Sequence, residues 1–289
     1  MLDGLEARRV ERDGVGLAVW SGGSGPTVLL LHGYPENSAM WRDVVPALLT
    51  DHRVILMDLR GYGRSDAPAD ATYSKREMAA DAAAVLRALD AGPAHVVGHD
   101  RGARVVHRLC LDQPDLVASA AVLDIVPTLH MYESVDRLMA ETYFHWFFLT
   151  RGNGLPESLL RADPKTWIRS RFTGRHGPEF TFPPEVVEEY AEAFARPGVI
   201  EATCADYRAA ATIDLEHDRA DRDAGRRIRG RLLVGWGKRG YVGRAFDVPE
   251  VWREYAADVQ PAAIDADHYV AEENPEQTVA ALRTFWAAS

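Results

Sequence analysis

One short stretch of the chain places a strand, a tight turn and a helix around a single carboxylate. Residues 94–104 are Ala-His-Val-Val-Gly-His-Asp-Arg-Gly-Ala-Arg, with glycines two residues before and two after Asp100. This is the spacing of a nucleophile elbow, a turn so sharp that only small residues fit beside the nucleophile. The helix predicted to begin at Gly102 would favour an ionised carboxylate and a developing oxyanion at its N-terminus. We therefore predict that Asp100 is a nucleophile, the alternative being that it only caps the helix.

An aspartate nucleophile needs two further groups, because its ester with the substrate must be hydrolysed by activated water. The expected chain order is nucleophile, acid, histidine, and His268 lies between the last predicted strand and the last predicted helix. We predict that His268 is the base. The loop at residues 235–240 offers no carboxylate, so Asp124, after the preceding strand, is the predicted acid. Asp124 could also cap the following segment, and Asp247 is a weaker candidate for the acid.

An oxyanion formed at Asp100 would need two backbone N–H donors. The N–H of the residue after the nucleophile, Arg101, is one candidate. The other is the N–H of Tyr34, in the loop after the first long apolar strand at residues 27–31.

Strands alternate with helices over residues 27–125 and again from residue 231 onward. This alternation predicts an α/β fold, with a mostly parallel sheet and helices on both faces. Asp13-Gly14 predicts a hairpin turn between residues 5 and 20. Residues 127–213 lack strong strands and are aromatic, charged and helical in periodicity, with a proline- and glycine-rich middle at 152–184. We expect them to form an inserted helical cap on a core made of residues 1–126 and 214–289.

The composition predicts a soluble protein with a large core, since 47% of its 289 residues are hydrophobic and 26% are charged. A formal net charge of −10 disfavours nucleic acid and anionic membranes as partners. Cys110 and Cys204 show no disulfide or metal-ligand spacing, which indicates buried free thiols in a reducing compartment. The sequence shows no secretory leader at residues 1–14 and no apolar run long enough to span a bilayer. We expect a cytoplasmic protein that needs no cofactor or metal.

Taken together, these segments resemble the α/β-hydrolase superfamily and, within it, the fluoroacetate (haloacetate) dehalogenases. The resemblance runs from about residue 27 to the C-terminus. It is carried by residues 32–35, 58–63, 98–104, 122–128, 145–149 and 204–208. The first two segments are shared widely in the superfamily, whereas the other four are more specific and occur together.

The residue after the nucleophile separates this family from its neighbours. Haloalkane dehalogenases and many epoxide hydrolases carry tryptophan there, but this chain has Arg101, with Arg104 one helical turn later. Two guanidinium groups beside an aspartate suit a small carboxylate held by forked hydrogen bonds, and the resemblance implies the same role. It also implies that the halide leaves toward three donors, His145, Trp146 and Tyr207. Without the resemblance, these three would indicate only core packing.

The sequence therefore predicts hydrolysis of fluoroacetate or another 2-haloacetate to glycolate and halide, and the resemblance suggests a homodimer. One alternative is an epoxide hydrolase with the same Asp100 and His268, in which Tyr207 and Tyr143 protonate the epoxide oxygen. Another is a receptor for a small acid without enzymatic activity. Asp267 stands where relatives more often have glycine, and would raise the pKa of His268 if it lies close.

Overall fold

The computed structural model describes residues 3–172 and 180–288. The strands in these ranges are β1 (Glu6–Arg12), β2 (Val15–Gly23), β3 (Thr27–Leu31), β4 (Arg53–Met57), β5 (Ala94–His99), β6 (Val117–Leu123), β7 (Ile228–Gly237) and β8 (Ala256–Ile264). They form one eight-stranded sheet in the order β1-β2-β4-β3-β5-β6-β7-β8. The pairs β1–β2 and β2–β4 are antiparallel and all other pairs are parallel. The predicted α/β fold class is confirmed.

Helices connect the strands of this sheet. They are α1 (Val45–Leu48), α2 (Lys75–Ala88), α3 (Asp100–Asp112), α4 (Thr128–Glu133), α5 (Arg137–Thr142), α6 (Phe144–Phe148), α7 (Leu155–Ala162), α8 (Pro164–Phe172), α9 (Pro184–Phe194), α10 (Val199–Ala210), α11 (Ile213–Asp223), α12 (Tyr241–Ala245), α13 (Val248–Arg253), α14 (Val270–Glu273) and α15 (Pro275–Ala287). Short 3-10 helices lie at Ser38–Trp41 and Pro114–Leu116. Every helix in the described ranges is too short or too polar to cross a membrane.

The N-terminal hairpin forms where the sequence predicts it. β1 and β2 pair with Arg12 opposite Val15, so the connection has two residues, Asp13 and Gly14. Their φ angles are +49° and +77°, the left-handed conformation that a tight hairpin turn requires and that Asp-Gly adopts readily.

Two predicted helices differ from the observed ones. The elbow helix α3 begins at Asp100 rather than at Gly102. Residues 38–49, whose apolar periodicity predicts one helix, divide into a 3-10 helix and α1, whose first turn holds Pro46, a residue without an N–H. The proline- and glycine-rich stretch contains α7 and α8, in which Pro156 and Pro164 occupy first turns, where no N–H is needed. Residues 173–179 of that stretch lie outside the described residues.

The elements described between β6 and β7, from α4 to α11, are all helices. The predicted division into a core and a helical cap, with cap boundaries at residues 127 and 213, stays a prediction. Both cysteines are buried free thiols, and burial raises the pKa of each to about 12, so neither is a nucleophile at neutral pH.

Candidate active site

Asp100 occupies a strained turn between β5 and α3. Its φ is +43°, in the left-handed region that residues other than glycine rarely adopt. A Cβ atom at Gly98 would lie 2.5 Å from the carbonyl of Gly102, so the turn closes only with glycine at that position. Strain of this kind persists where the surrounding structure fixes a residue for a functional purpose.

The Asp100 carboxylate is buried and ionised. Its Oδ2 atom accepts a hydrogen bond of 3.0 Å from the backbone N–H of Tyr34. Burial alone would raise its pKa, but the charges of His268, Arg101 and Arg104 outweigh burial and lower it. The predicted oxyanion donor Tyr34 therefore already binds one carboxylate oxygen, and the Arg101 N–H lies in the first turn of α3.

His268 and Asp124 lie in direct contact. The His268 Nδ1 atom is 2.6 Å from Asp124 Oδ2, and the other carboxylate oxygen accepts from the Gly237 N–H at 2.9 Å. Burial lowers the pKa of His268, but the hydrogen bond with Asp124 and the charges of Asp124 and Asp100 together outweigh burial, so the pKa is raised. Asp247 lies elsewhere, where it accepts from the Glu250 N–H and caps α13.

Asp267 precedes His268, and its backbone N–H donates to Glu273 Oε2 at 2.8 Å. The leading charges that act on the pKa of His268 come instead from Asp124, His99 and Asp100.

Arg101 is fully buried and paired with a carboxylate that the sequence analysis did not single out. Its Nε donates to Asp206 Oδ2 at 2.9 Å and its Nη2 to Oδ1 at 2.5 Å. Tyr62 and Lys75 contact the same carboxylate. Burial raises the pKa of Asp206, but Arg101 and Lys75 hold it well below its usual range. Arg101 Nη1 has no hydrogen-bond partner among the described residues.

Arg104 is 3% exposed and has no carboxylate partner within ion-pair distance in the part of the chain that the structure describes. Its Nη1 donates to Val126 O and to Thr128 Oγ1, both at 3.0 Å, and its guanidinium lies 4.7 Å from the ring centre of Trp146. Its Nε has no hydrogen-bond partner among those residues. A buried arginine stays charged, so Arg104 is a positive charge without a paired carboxylate beside Asp100.

The three residues implied as halide donors converge above the elbow from two helices, α6 and α10. The ring centre of Tyr207 lies 5.7 Å from that of His145 and 6.1 Å from that of Trp146. The Tyr34 ring lies 5.4 Å from Tyr207 and 5.9 Å from His145. Tyr207 is fully buried, and its hydroxyl has no hydrogen-bond partner within the described ranges.

A small cavity of about 20 Å³ connects these groups. It is lined by Tyr34, Pro35, Asp100, Tyr143, His145, Trp146, Arg171, His268 and Tyr269. The lining does not include Arg101, Arg104 or Tyr207, which lie next to it. A cavity of this size holds about one water molecule, so a bulky substrate would require the surrounding helices to move.

Arg171, on α8, is a cavity residue that the sequence analysis did not single out. It is 7% exposed, and its guanidinium lies 4.5 Å from the ring centre of Trp167 and 4.9 Å from that of Phe144. In the sequence, only the neighbouring aromatic residues indicate that Arg171 could lie in an aromatic-lined site.

A larger pocket of about 300 Å³ adjoins the cavity and shares Tyr143, His268 and Tyr269 with it. Arg239 and Arg244 also line this outer pocket. The three shared residues line both spaces, so the outer pocket lies against one wall of the cavity that contains Asp100.

A family model described as the alpha/beta hydrolase fold matches residues 26–277. The chain belongs to this family. It is 41% identical to a fluoroacetate dehalogenase of Burkholderia sp., over 99% of this chain and 95% of that protein, which confirms the predicted resemblance to that family. It is 30% identical to a soluble epoxide hydrolase of Corynebacterium sp. (strain C12), over 92% of this chain and 91% of that one. A crystal structure from Nostoc sp. PCC 7120, assigned as an α/β hydrolase, is 42% identical, with a TM-score of 0.96 and full coverage of both chains. The protein is a hydrolase.

Proposed function

We propose that this hydrolase cleaves the carbon–halogen bond of fluoroacetate or another 2-haloacetate and releases glycolate and halide. The observation that carries the proposal is Arg104, a buried cation without a carboxylate partner among the described residues, beside an ionised aspartate. Since burying an unpaired charge is costly, the site favours a ligand that brings its own negative charge. The substrate carboxylate would bind Arg104 Nε and Arg101 Nη1, two buried guanidinium atoms without hydrogen-bond partners in the described ranges.

In the first step, Asp100 attacks the α-carbon of the substrate in line with the carbon–halogen bond. Tyr34 holds Oδ2, so Oδ1 is the attacking atom in this proposal. A new C–O bond forms, the carbon–halogen bond breaks, and the halide leaves with the bonding electron pair. The product of this step is an ester between Asp100 and glycolate.

In the second step, His268 takes a proton from water, and the resulting hydroxide attacks the ester carbonyl carbon of Asp100. Asp124, 2.6 Å from His268 Nδ1, fixes the tautomer that leaves Nε2 free to accept the proton and stabilises the imidazolium. The N–H groups of Tyr34 and Arg101 hold the oxyanion on Oδ2. Collapse of the intermediate releases glycolate, which takes the proton back from His268, and leaves Asp100 as a carboxylic acid. The acid then loses the second proton of the water to solvent, which restores the Asp100 carboxylate.

Fluoride loses strong hydration when it forms in a closed site, so its release needs several hydrogen bonds in return. His145, Trp146 and Tyr207 would supply them from α6 and α10. In this proposal residues 127–213 act as the cap predicted from the sequence, because both helices belong to that segment.

The direct test is halide release from fluoroacetate and chloroacetate, measured in parallel on the purified protein. Fluoride release would support both the dehalogenase activity and the halide donors. Chloride release alone would support the dehalogenase activity but contradict a donor set adequate for the C–F bond. Release of neither would contradict the proposal.

Replacing Arg104 with glutamine is expected to lower kcat/KM for haloacetate by about 100-fold, mainly through KM. The reason is that charged hydrogen bonds contribute roughly 1.5–3 kcal/mol each. The matched control is Arg171→Gln, which removes a guanidinium that lines the cavity. A loss confined to Arg171→Gln would place the substrate carboxylate at Arg171 and contradict the role of Arg104.

Replacing Tyr207 with phenylalanine is expected to slow fluoride release by about 10-fold, because one hydrogen bond to an anion is lost. The rate of bromide release from bromoacetate should fall by less than about threefold, since bromide is larger and more weakly hydrated. Single-turnover halide release from the two substrates measures both values. Equal losses for the two halides would argue against a halide-binding role for this hydroxyl.

The second candidate function is epoxide hydrolysis, which Tyr143 favours because it lines the cavity with Asp100 and His268. Burial raises the pKa of Tyr143 well above 10, so its hydroxyl would be protonated and able to donate to an epoxide oxygen. A neutral epoxide, however, offers Arg104 no charge partner. Turnover of styrene oxide with none of haloacetate would favour this candidate.

A further inference from the structure

Behind the His268 loop, a chain of buried side chains links the residue before the nucleophile to the residue proposed as the base. His99 Nε2 lies 2.8 Å from the backbone carbonyl oxygen of His268, and His99 Nδ1 lies 2.9 Å from Glu36 Oε2. His99 and Glu36 are 0% and 2% exposed. A carbonyl oxygen and a carboxylate oxygen only accept, so both ring nitrogens of His99 must carry protons. His99 is therefore an imidazolium paired with an ionised Glu36.

The far side of Glu36 meets a second buried carboxyl group, Glu272 on α14. Glu272 Oε1 accepts from Tyr190 at 2.9 Å and pairs with Arg42, whereas Glu272 Oε2 and Glu36 Oε1 have no other hydrogen-bond partner among the described residues. Burial and the neighbouring Glu36 raise the pKa of Glu272 well above its usual range. Burial also acts to raise the pKa of Glu36, but His99 outweighs it and lowers it. One proton therefore lies between the two carboxyl groups, held by Glu272, and Glu36 keeps its negative charge toward His99.

We propose that the Glu36–His99 ion pair is a positioning pair for His268: it anchors the backbone of the base and holds a positive charge beside its imidazole. This inference rests on the proposed role of His268 as the base. The His99 ring centre lies 4.8 Å from the His268 ring centre, so the pair acts at short range in a buried site. Glycine at position 33 keeps the pair close to the nucleophile, because a Cβ there would lie 2.8 Å from both His99 Nδ1 and Asp100 Cβ.

The Glu36–His99 pair affects the pKa of His268 as well as its position. His268 faces two negative groups, Asp124 and Asp100, which favour its protonated form, and one positive group, His99, which opposes it. His99 itself faces Glu36, Asp100 and the loop that carries His268. Burial lowers the pKa of His99, but Glu36 outweighs burial and raises it to about 9, so the imidazolium persists at neutral pH. A base must be unprotonated to accept a proton from water, so the positive charge of His99 extends the activity of His268 to lower pH.

The test replaces Glu36 with glutamine, which keeps the shape and the hydrogen-bonding capacity but removes the negative charge. His99 then loses its second proton, Nε2–H continues to donate to His268, and the amide of the introduced side chain donates to Nδ1. The pKa of His268 is expected to rise by about 1 unit. Loss of the His99 positive charge roughly 5 Å away raises it, and loss of the Glu36 negative charge, which also acts on His268, offsets part of that rise. Histidine NMR titration measures this without substrate, and the signal is assigned by its loss in His268→Gln. The acidic limb of the pH profile for kcat should move upward by the same amount, with KM changed less than about twofold.

The matched control is Asp221→Asn, which neutralises a buried carboxylate on α11, where Arg108 keeps Asp218 and Asp112 as partners. It should leave the pKa of His268 unchanged. If Glu36→Gln does not fold, His99→Gln provides the second variant, since its amide reaches the His268 carbonyl without a charge and the same upward shift is expected. An unchanged pKa of His268 in a folded variant overturns the positioning role. A wrong proposed function gives a different result. The wild-type protein would then release no halide, whereas the NMR titration of His268 would still report the effect of Glu36 and His99.

Discussion

Asp100→Asn is expected to abolish halide release from haloacetates, lowering kcat by at least about 10⁴-fold. The amide is a poor nucleophile toward an alkyl carbon, and among the described residues no other carboxylate lines the small cavity. The Tyr34 N–H still finds an oxygen acceptor at position 100, so folding and substrate binding should change little. Halide release over hours, with binding of acetate measured by calorimetry, separates lost chemistry from lost binding.

The control for this variant is Asp112→Asn, at the opposite end of the same helix, where the carboxylate pairs with Arg76 and Arg108. It removes a charge from α3 without touching the elbow, and activity should stay within about twofold of wild type. Full halide release by Asp100→Asn would exclude the elbow aspartate as the nucleophile.

His268→Gln is expected to stop the reaction after its first step. The substrate still alkylates Asp100, because that step needs no base, but water is no longer activated to hydrolyse the ester. One equivalent of halide should be released in a burst, followed by turnover slowed at least about 10³-fold. Mass spectrometry should find a carboxymethyl addition of about 58 Da on the peptide that contains Asp100, as expected for a covalent intermediate.

His107→Gln is the matched control, because His107 is another buried histidine, packed against Trp252 and Tyr255 away from the elbow. Burial lowers its pKa to about 3, so it stays a neutral imidazole at the pH of the reaction. It should show steady turnover without a trapped ester. Steady turnover by His268→Gln at the wild-type rate would show that another group activates the water.

The fold was predictable where local chemistry leaves few choices. Glycines on both sides of Asp100 predict a sharp turn because nothing larger fits, and Asp13-Gly14 predicts the hairpin because both residues tolerate left-handed φ. The proline- and glycine-rich composition of residues 152–184 does not reveal the helices α7 and α8, whose first turns hold Pro156 and Pro164. The same residue type ends a helix or starts one according to its place in the turn, which a composition count does not reveal.

Pairing between distant residues was the part of the site that the sequence did not disclose. Nothing in the sequence near Asp206 indicates that it neutralises Arg101, 105 residues earlier. His99 adjoins the proposed nucleophile, but its partner Glu36 comes 63 residues before it. Such pairs can be identified only in the folded structure, because their energies depend on burial and on distances of a few ångströms. Motif spacing identifies candidate groups, and the tertiary structure decides which charges they retain.

The ion pair between Asp206 and Arg101 joins two parts of the protein, the helical segment between β6 and β7 and the elbow helix α3, and limits how independently their sequences can change. Asp206 lies on α10 in the inserted helical segment, whereas Arg101 lies on the first turn of the elbow helix. A helical segment taken from a relative without an acidic residue at this position would leave a buried guanidinium unpaired next to the nucleophile, at a cost of several kcal/mol. Exchange of the whole segment therefore needs an acidic residue at position 206, whereas single substitutions elsewhere in the segment leave the ion pair with Arg101 in place.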